Sequence, residues 1–358
     1  MLAVPPQNSE FRSANKRKRM IRSRKNHRRQ GAFAALDLGT NNCRLLVAKP
    51  IKDGFRIVDG FSRIVRLGEG VSELGALSDA AVKRTIEALK ICAQKMSQQR
   101  VSKARCVATQ AARSASNGVY FVDRVKAETG INLEIISSQE EAELTLTGCL
   151  SLLDTSYDYT LMFDVGGGSA EFVWARILPI EGAKILGWTS LPLGVVTLTE
   201  LHGKSEFDPL EYENLVSSLI KILRPFDLEF GISEHIVGDR VQIVGTAGTV
   251  TTIAGVNMCL PRYNRSRVDG CWLDYNAVRH VSRMLRNQSY DERAAHPCIG
   301  HTRAELVVAG CAVLEAVCNI WPAGRLRVAD RGVREGILSV MSGQPRVSGD
   351  GAISFGLE

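Results

Sequence analysis

The 358-residue sequence contains no apolar stretch approaching the roughly 20 residues that a membrane span requires. Basic residues open the chain without an apolar run behind them, the wrong pattern for a secretory signal. A cytoplasmic protein away from membranes is therefore expected. Nine cysteines are present, but no CxxC pair and no His/Cys group at zinc spacing. An odd, scattered set of thiols argues against a disulfide framework and against a zinc site. Cys106, Cys149 and Cys311 lie within apolar stretches, where a thiol behaves as a small hydrophobe. Two phosphate-binding signatures are also missing. No G-x-G-x-x-G follows a strand pattern, and "LTELHGKS" (198–205) has Leu198 where a Walker A loop needs its first glycine.

Hydrophobic residues make up 45% of the chain and charged residues 23%, ordinary values for a globular protein. The length suits two domains. The formal charge of +7 is unevenly placed. Residues 1–30 hold ten Lys/Arg against the single acid Glu10 and contribute +9, leaving −2 for everything after them. Such a block without apolar periodicity is expected to be a disordered tail. It is either a solvated extension or a polycation that holds RNA or a polyanion near the body by counterion release.

One device occurs twice. "FAALDLGTNNCRLLVA" (33–48) and "LMFDVGGGSAEFVWA" (161–175) each run from an apolar stretch through Asp, an apolar residue and Gly into small or polar residues, a charge and a second apolar stretch. Asp37 aligns with Asp164, Gly39 with Gly166, Asn42 with Ser169, and Arg44 with Glu171. Each reads as a hairpin with a glycine turn. Glycines let backbone N–H groups close on an anion. An Asp beside that turn makes sense if a divalent cation or a water lies between protein and phosphate, since Mg²⁺ commonly binds through one or two carboxylates and retained waters. Two such turns facing across a cleft would hold a phosphate chain from both sides; the plainer reading is a pair of tight turns capped by Asp.

Further elements follow in order. "SDAAVKRTIEALKICAQKM" (78–96) predicts a helix capped by Ser78, with Val82, Ile86, Leu89, Ala93 and Met96 on one face. "ARCVATQAARSASNG" (104–118) predicts a strand, a turn and a helix start carrying Arg113, whose guanidinium is either an anion ligand or a surface charge. In "LEIISSQEEAELTLTG" (133–148) a strand leads to a helix whose first turn holds Gln139, Glu140 and Glu141. Those acids either serve the helix dipole or send one carboxylate into a cleft as a general base. "VQIVGTAGTVTTIAGV" (241–256) predicts a strand, a Gly/Thr loop and a helix start that exposes N–H groups at Gly245, Thr246, Gly248 and Thr249. "AELVVAGCAVLEAVCNI" (304–320) predicts a buried helix, and "GRLRVADRGVREGIL" (324–338) a strand, a turn and a last helix.

This ordered set, with "LPLGVVTL" (191–198), resembles the exopolyphosphatase / guanosine pentaphosphate phosphohydrolase (Ppx/GppA) family from about residue 33 to 338. The resemblance implies an α/β fold of the actin-like ATPase superfamily: two ribonuclease-H-like domains, each a mixed sheet flanked by helices, with the active site in the cleft between them. The expected boundaries are 31–155 and 156–340, followed by a flexible tail over 341–358. It also implies hydrolysis of a terminal phosphoanhydride, in polyphosphate or in pppGpp to give ppGpp, assisted by Mg²⁺, and a homodimer by analogy.

Position by position, the resemblance makes Glu141 the carboxylate that orients and deprotonates water. Asp164 and Glu171 become the acids of the metal and its water network. Gly166, Gly167, Gly168 and Ser169 match one phosphate loop; Asp37, Gly39, Thr40, Asn41 and Asn42 match the other. Arg113 matches a phosphate-binding arginine, and Arg303 is a second candidate. Three residues depart from the family pattern. Thr40 and Cys43 replace more usual serines, and Ser138 stands where a glycine usually precedes the acidic helix, so that turn must form without positive φ or with strain. Two other functions share these features: a sensor that binds polyphosphate or an alarmone without turnover, and a small-molecule kinase of the same superfamily.

Overall fold

Alternation along one strand explains the first sheet. In β1 (Ala32–Leu38), Ala32, Ala34, Leu36 and Leu38 enter one core cluster while Phe33 and Ala35 enter another. Successive side chains of a strand point to opposite faces, so β1 is covered on both. The computed structural model that shows this describes residues 31–202, 207–347, 349 and 352–354. The basic segment 1–30, and the disordered tail expected there, lie outside the described residues, as do 203–205 of the Walker-like stretch.

β1 pairs antiparallel with β2 (Asn42–Ile51), which pairs antiparallel with β3 (Gly54–Ile64). β4 (Val101–Ala108) and β5 (Leu133–Ile135) add in parallel on the other side, giving the order β3-β2-β1-β4-β5. Hairpins join the antiparallel strands, and parallel ones need helical crossovers. α1 (Asp79–Gln98) provides the first crossover; α2 (Gln110–Ser114) and α3 (Gly118–Thr129) provide the second. α1 begins at its predicted cap: the Ser78 side chain accepts from the Ala81 N–H, a contact worth about 1 kcal/mol. Val82, Ile86 and Leu89 on its predicted face are buried.

After α4 (Ser138–Cys149) the order recurs. β6 (Tyr159–Val165), β7 (Ala170–Leu178) and β8 (Gly182–Leu191) form an antiparallel meander. β9 (Val241–Thr246), β10 (Trp272–Asp274), β11 (Arg325–Val328) and the short β12 (Ile353–Ser354) complete a sheet of order β10-β11-β9-β6-β7-β8-β12. Within it, β8-β7-β6-β9-β11 repeats the arrangement of the first sheet. The fold is thus two ribonuclease-H-like halves, each a mixed sheet flanked by helices. The second half has the larger core, where Phe163, Phe172 and Trp174 pack with the buried helix Val307–Ile320. Its longer helices are α5 (Val195–His202), α6 (Pro209–Phe230), α7 (Ala247–Asn257), α8 (Tyr275–Arg286), α9 (Val307–Ile320) and α10 (Val333–Met341).

Two helices cross between the halves. α4 follows the first sheet in the chain, yet Ala142, Leu146 and Cys149 pack on Met162, Val173 and Ala175 of the second. α10 follows the second sheet, yet Val333, Ile337 and Leu338 pack on Phe33, Ala35, Leu46 and Ala48 of the first. A linear division at 155/156 therefore leaves each helix with the sheet that it does not cover. Glycines permit the crossing: a Cβ on Gly336 would stand 1.9 Å from the Leu144 carbonyl oxygen, and one on Gly148 2.3 Å from that of Gly332.

The stretch 341–358, read from sequence as a flexible tail, is anchored in its described part. Val347 is buried, its N–H donates to Thr147 Oγ1 at 3.1 Å, and Ile353–Ser354 pairs with Gly187 and Trp188 of β8.

Candidate active site

Strand parity puts Asp37 on the Phe33/Ala35 face of β1 and Asp164 on the Met162 face of β6. These are the faces that the crossing helices cover. Register then pairs Asp37 with Arg44 and Asp164 with Glu171, each across its own hairpin. The two turns close alike: the Gly39 N–H donates to the Asn42 carbonyl and the Gly166 N–H to the Ser169 carbonyl, both at 2.9 Å. The N–H groups of Thr40, Asn41, Gly167 and Gly168 have no partner among the described residues. The turns also meet one another. A Cβ on Gly168 would lie 2.5 Å from Thr40 Oγ1, so a larger residue here would have to displace the Thr40 side chain. Behind the second turn, α5 donates its Val195 and Val196 N–H groups to the carbonyls of Gly166 and Gly167.

The crossing helix α4 brings the third acid. The Ser137 side chain caps it by accepting from the Glu140 N–H, and Ser138 enters the helix without positive φ, so replacing the family's glycine introduces no backbone strain. Its two glutamates part company. Glu140 pairs with Arg105 and has a 40% exposed side chain, whereas Glu141, with a 12% exposed side chain, lines a cavity of about 390 Å³ between the halves. One acid of the first turn thus pairs outside the cavity and the other faces into it.

That cavity gathers most of the predicted residues: Asp37, Gly39 to Asn42, Glu141, Asp164, Gly166 to Ser169, Glu171, Thr246, Gly248, Thr249 and Arg303. Two predicted residues do not line it. Gly245 is buried in β9, where a Cβ would stand 2.6 Å from the Phe163 ring, so its small size serves packing. Arg113 lies behind the wall. Its Nη1 donates to the Ile136 carbonyl at 2.7 Å and to Glu141 at 3.2 Å, and its Nη2 donates to Gln110 Oε1 at 2.7 Å.

The acids strain against one another. Burial first, then the Glu171 charge, pushes the Asp164 carboxyl up to about 7. Glu141 is raised well above the usual carboxylate range by burial and then by Glu171, with Arg113 pulling the other way. Glu171 is also raised by burial, against hydrogen bonds from Ser169 and Ser190; Ser190 Oγ donates to it at 3.0 Å. Asp37 is raised by burial, opposed by Arg44 and Arg334. Carboxylates arranged in this way favour a cation.

Among the described residues no group of three or more His, Cys, Asp and Glu side chains is arranged to hold a metal ion. The adjacent pair Asp164 and Glu171 suits a cation that takes one or two carboxylates and fills its remaining positions with water and phosphate oxygens. The donor set therefore fits a hard divalent cation shared with a phosphate ligand.

Several lining residues went unpredicted. Arg44 and Arg334 line the cavity with no hydrogen bond or ion pair among the described residues. By contrast Arg265 is tied to Asp330 and Glu335, and Arg331 to Asp269 and Ser151. Arg303 donates to Thr252 Oγ1 at 2.9 Å and lies over Gly248 at the start of α7. Ala247, also in the lining, has φ +76°, a left-handed conformation costly for a residue with a Cβ. Arg44 had a signal, since it aligns with Glu171 across the repeat. Arg334 had none: it reads as one more charge in the first turn of a helix.

The comparisons with known proteins agree with this geometry. Over 305 residues the chain is 29% identical to a bifunctional 3-dehydroquinate synthase/phosphatase of Fusobacterium nucleatum, matching 80% of this chain and 43% of that protein. The chain thus spans less than half the length of that relative. It is 28% identical to exopolyphosphatase 2 of Mycobacterium tuberculosis over 87% of this chain and 98% of the relative. The crystal structure of the Aquifex aeolicus member of the Ppx/GppA family superposes with a TM-score of 0.69 at 27% identity, covering 87% of this chain and 97% of the other. Residues 46–344 match the Ppx/GppA phosphatase family, and with the paired hairpins and the acid-lined cleft between two ribonuclease-H-like halves, the chain belongs to that family.

Proposed function

We propose that this protein hydrolyses a terminal phosphoanhydride, releasing orthophosphate from inorganic polyphosphate or from pppGpp. One observation carries the reading. Glu141, on a helix that follows the first sheet in the chain but packs on the second, shares a cavity with Asp164 and Glu171, between two glycine turns with N–H groups uncommitted among the described residues. The resemblance to a relative named exopolyphosphatase supports polyphosphate as the substrate class, and pppGpp presents the same terminal anhydride.

Phosphoryl transfer to water needs an aligned nucleophile and neutral surroundings for the equatorial oxygens, with little covalent help. Glu141 accepts a hydrogen bond from the attacking water and takes its proton; the raised carboxyl makes it a stronger base than an ordinary glutamate. The N–H groups of Thr40, Asn41, Gly167 and Gly168 hold the phosphoryl oxygens, and Arg44 and Arg334 face the charge of the departing chain. Asp164 and Glu171 would hold a divalent cation such as Mg²⁺, which when bound would neutralise phosphate charge. Ser169 and Ser190 fix the Glu171 carboxylate by donating to it.

The test is orthophosphate release in Mg²⁺ from long-chain polyphosphate, short polyphosphate and pppGpp. Release from one or more is expected, and the pattern of rates identifies the substrate. Tight binding of one of them with no release from any overturns the hydrolase reading in favour of a sensor.

A further inference from the structure

Resting on that reading, we infer that Arg113 is a positioning residue that sets the geometry of Glu141 and Gln110, and is not a phosphate ligand. Its guanidinium makes three hydrogen bonds to protein groups beside the cavity. Nη1 is shared between the Ile136 carbonyl at 2.7 Å and Glu141 Oε2 at 3.2 Å, while Nη2 donates to Gln110 Oε1 at 2.7 Å. The Arg113 side chain is 21% exposed and does not line the cavity, whereas Glu141 and Gln110 both do. A planar guanidinium presents donors in a rigid fork, so three acceptors in one fan fix its plane and the plane fixes them.

Two consequences follow for the cavity. One Glu141 oxygen is held by the arginine, and the other is left to meet a water. For Gln110 the argument is one of donor polarity. Arginine only donates, so the amide oxygen of Gln110 must face it and the NH₂ group must point the other way. That NH₂ has no partner among the described residues. Arg113 therefore orients an acceptor and a donor on the same wall, and the Ile136 carbonyl anchors it to the end of β5.

The α2 backbone explains how so short an element does this. Gln110 and Arg113 are three residues apart on one helical face, and Arg113 N donates to the Thr109 carbonyl. Ala111 and Ala112 between them are buried in the core of the first half, which holds the turn of helix in place.

The experiment is a double-mutant cycle of Arg113→Ala and Glu141→Gln, read by steady-state phosphate release and by calorimetric binding of inorganic polyphosphate. Arg113→Ala is expected to lower kcat by about 10–100-fold, the scale on which a misplaced reacting group acts, with KM within about twofold of wild type. In the Glu141→Gln background the same change is expected to cost less than about twofold more, because the residue acts through that carboxylate. Additive losses overturn the inference. So does a polyphosphate Kd at least tenfold weaker in Arg113→Ala, which a direct phosphate contact would produce.

Arg113→Lys, which keeps the charge but not the fork, is expected to fall between wild type and Arg113→Ala in kcat with unchanged Kd. It replaces the alanine variant in the cycle if that variant melts early. Wild type that binds polyphosphate but releases no phosphate refutes the hydrolase reading alone. The binding comparison then still decides whether Arg113 touches phosphate, and a weakened Kd overturns its assignment here.

Discussion

Asp164 stands directly across its hairpin from Glu171, on the sheet face covered by the helix that carries Glu141. Asp37 stands across from Arg44 in the other half, under the helix that carries Arg334. The two hairpins thus differ in the partner of their Asp: acid opposite acid on one wall, acid opposite base on the other. The first wall suits a cation and a water, the second a phosphate chain.

Glu141→Gln keeps the size of the side chain and a polar contact to Arg113 but removes the base. Phosphate release is expected to fall about 10²–10⁴-fold, the usual share of general base catalysis. Circular dichroism and thermal melting are expected to match wild type. Retention of more than a tenth of the activity would assign the base elsewhere.

The carboxyl of Asp164 gives stability a distinctive dependence on pH. In the unfolded chain an Asp titrates near 3.9, and in the fold this one is raised to about 7. Between those values the native state holds a proton that the unfolded state has released, so this contribution falls as pH rises through the window. Without divalent cation, the melting temperature of wild type is expected to decline from pH 5 to pH 8 more steeply than that of Asp164→Asn. Mg²⁺ at pH 8 is expected to raise it in wild type and much less in the variant. Equal slopes for the two proteins would show that the carboxyl is not held protonated.

Arg334 is partly buried with no ion pair among the described residues, and burial works against its charge. Replacing it by methionine removes a cation that substrate phosphates would neutralise. Arg334→Met is expected to melt at or above the wild-type temperature while binding polyphosphate at least about tenfold more weakly, with a shallower dependence of log Kd on log salt. Unchanged affinity would place the polyanion away from α10.

Gly336→Ala is the most direct probe of the helix crossing. Its Cβ would collide with the Leu144 carbonyl, a backbone atom that yields only if α4 and α10 separate. A loss of about 1–3 kcal/mol in urea unfolding is expected, together with reduced activity, because separating the helices moves Glu141 and Arg334. Full stability in this variant would mean that the helices pass at a greater distance.

The sequence by itself determined the repeated hairpins, the glycine turns with their Asp residues, the Ser78 cap and most of the buried helix expected at 304–320, which runs over Val307–Ile320. These follow from short-range rules: strand parity, turn chemistry and helix periodicity act over a few residues and leave their mark there. Even the cross-strand pairs were readable, since aligning the two copies sets Arg44 against Glu171. Local pattern left Glu140 and Glu141 equal and only the family resemblance favoured Glu141; the tertiary structure supplies the reason, because α4 covers the sheet that follows it and turns Glu141 to the cavity. It likewise moved Arg113 behind the wall and brought Arg334 into it across some 300 residues of chain. Residue type states what a side chain is able to do. Which of two equal carboxylates, or of many arginines, faces the cavity follows from the crossing of two helices at glycines, where backbones approach more closely than any local pattern records.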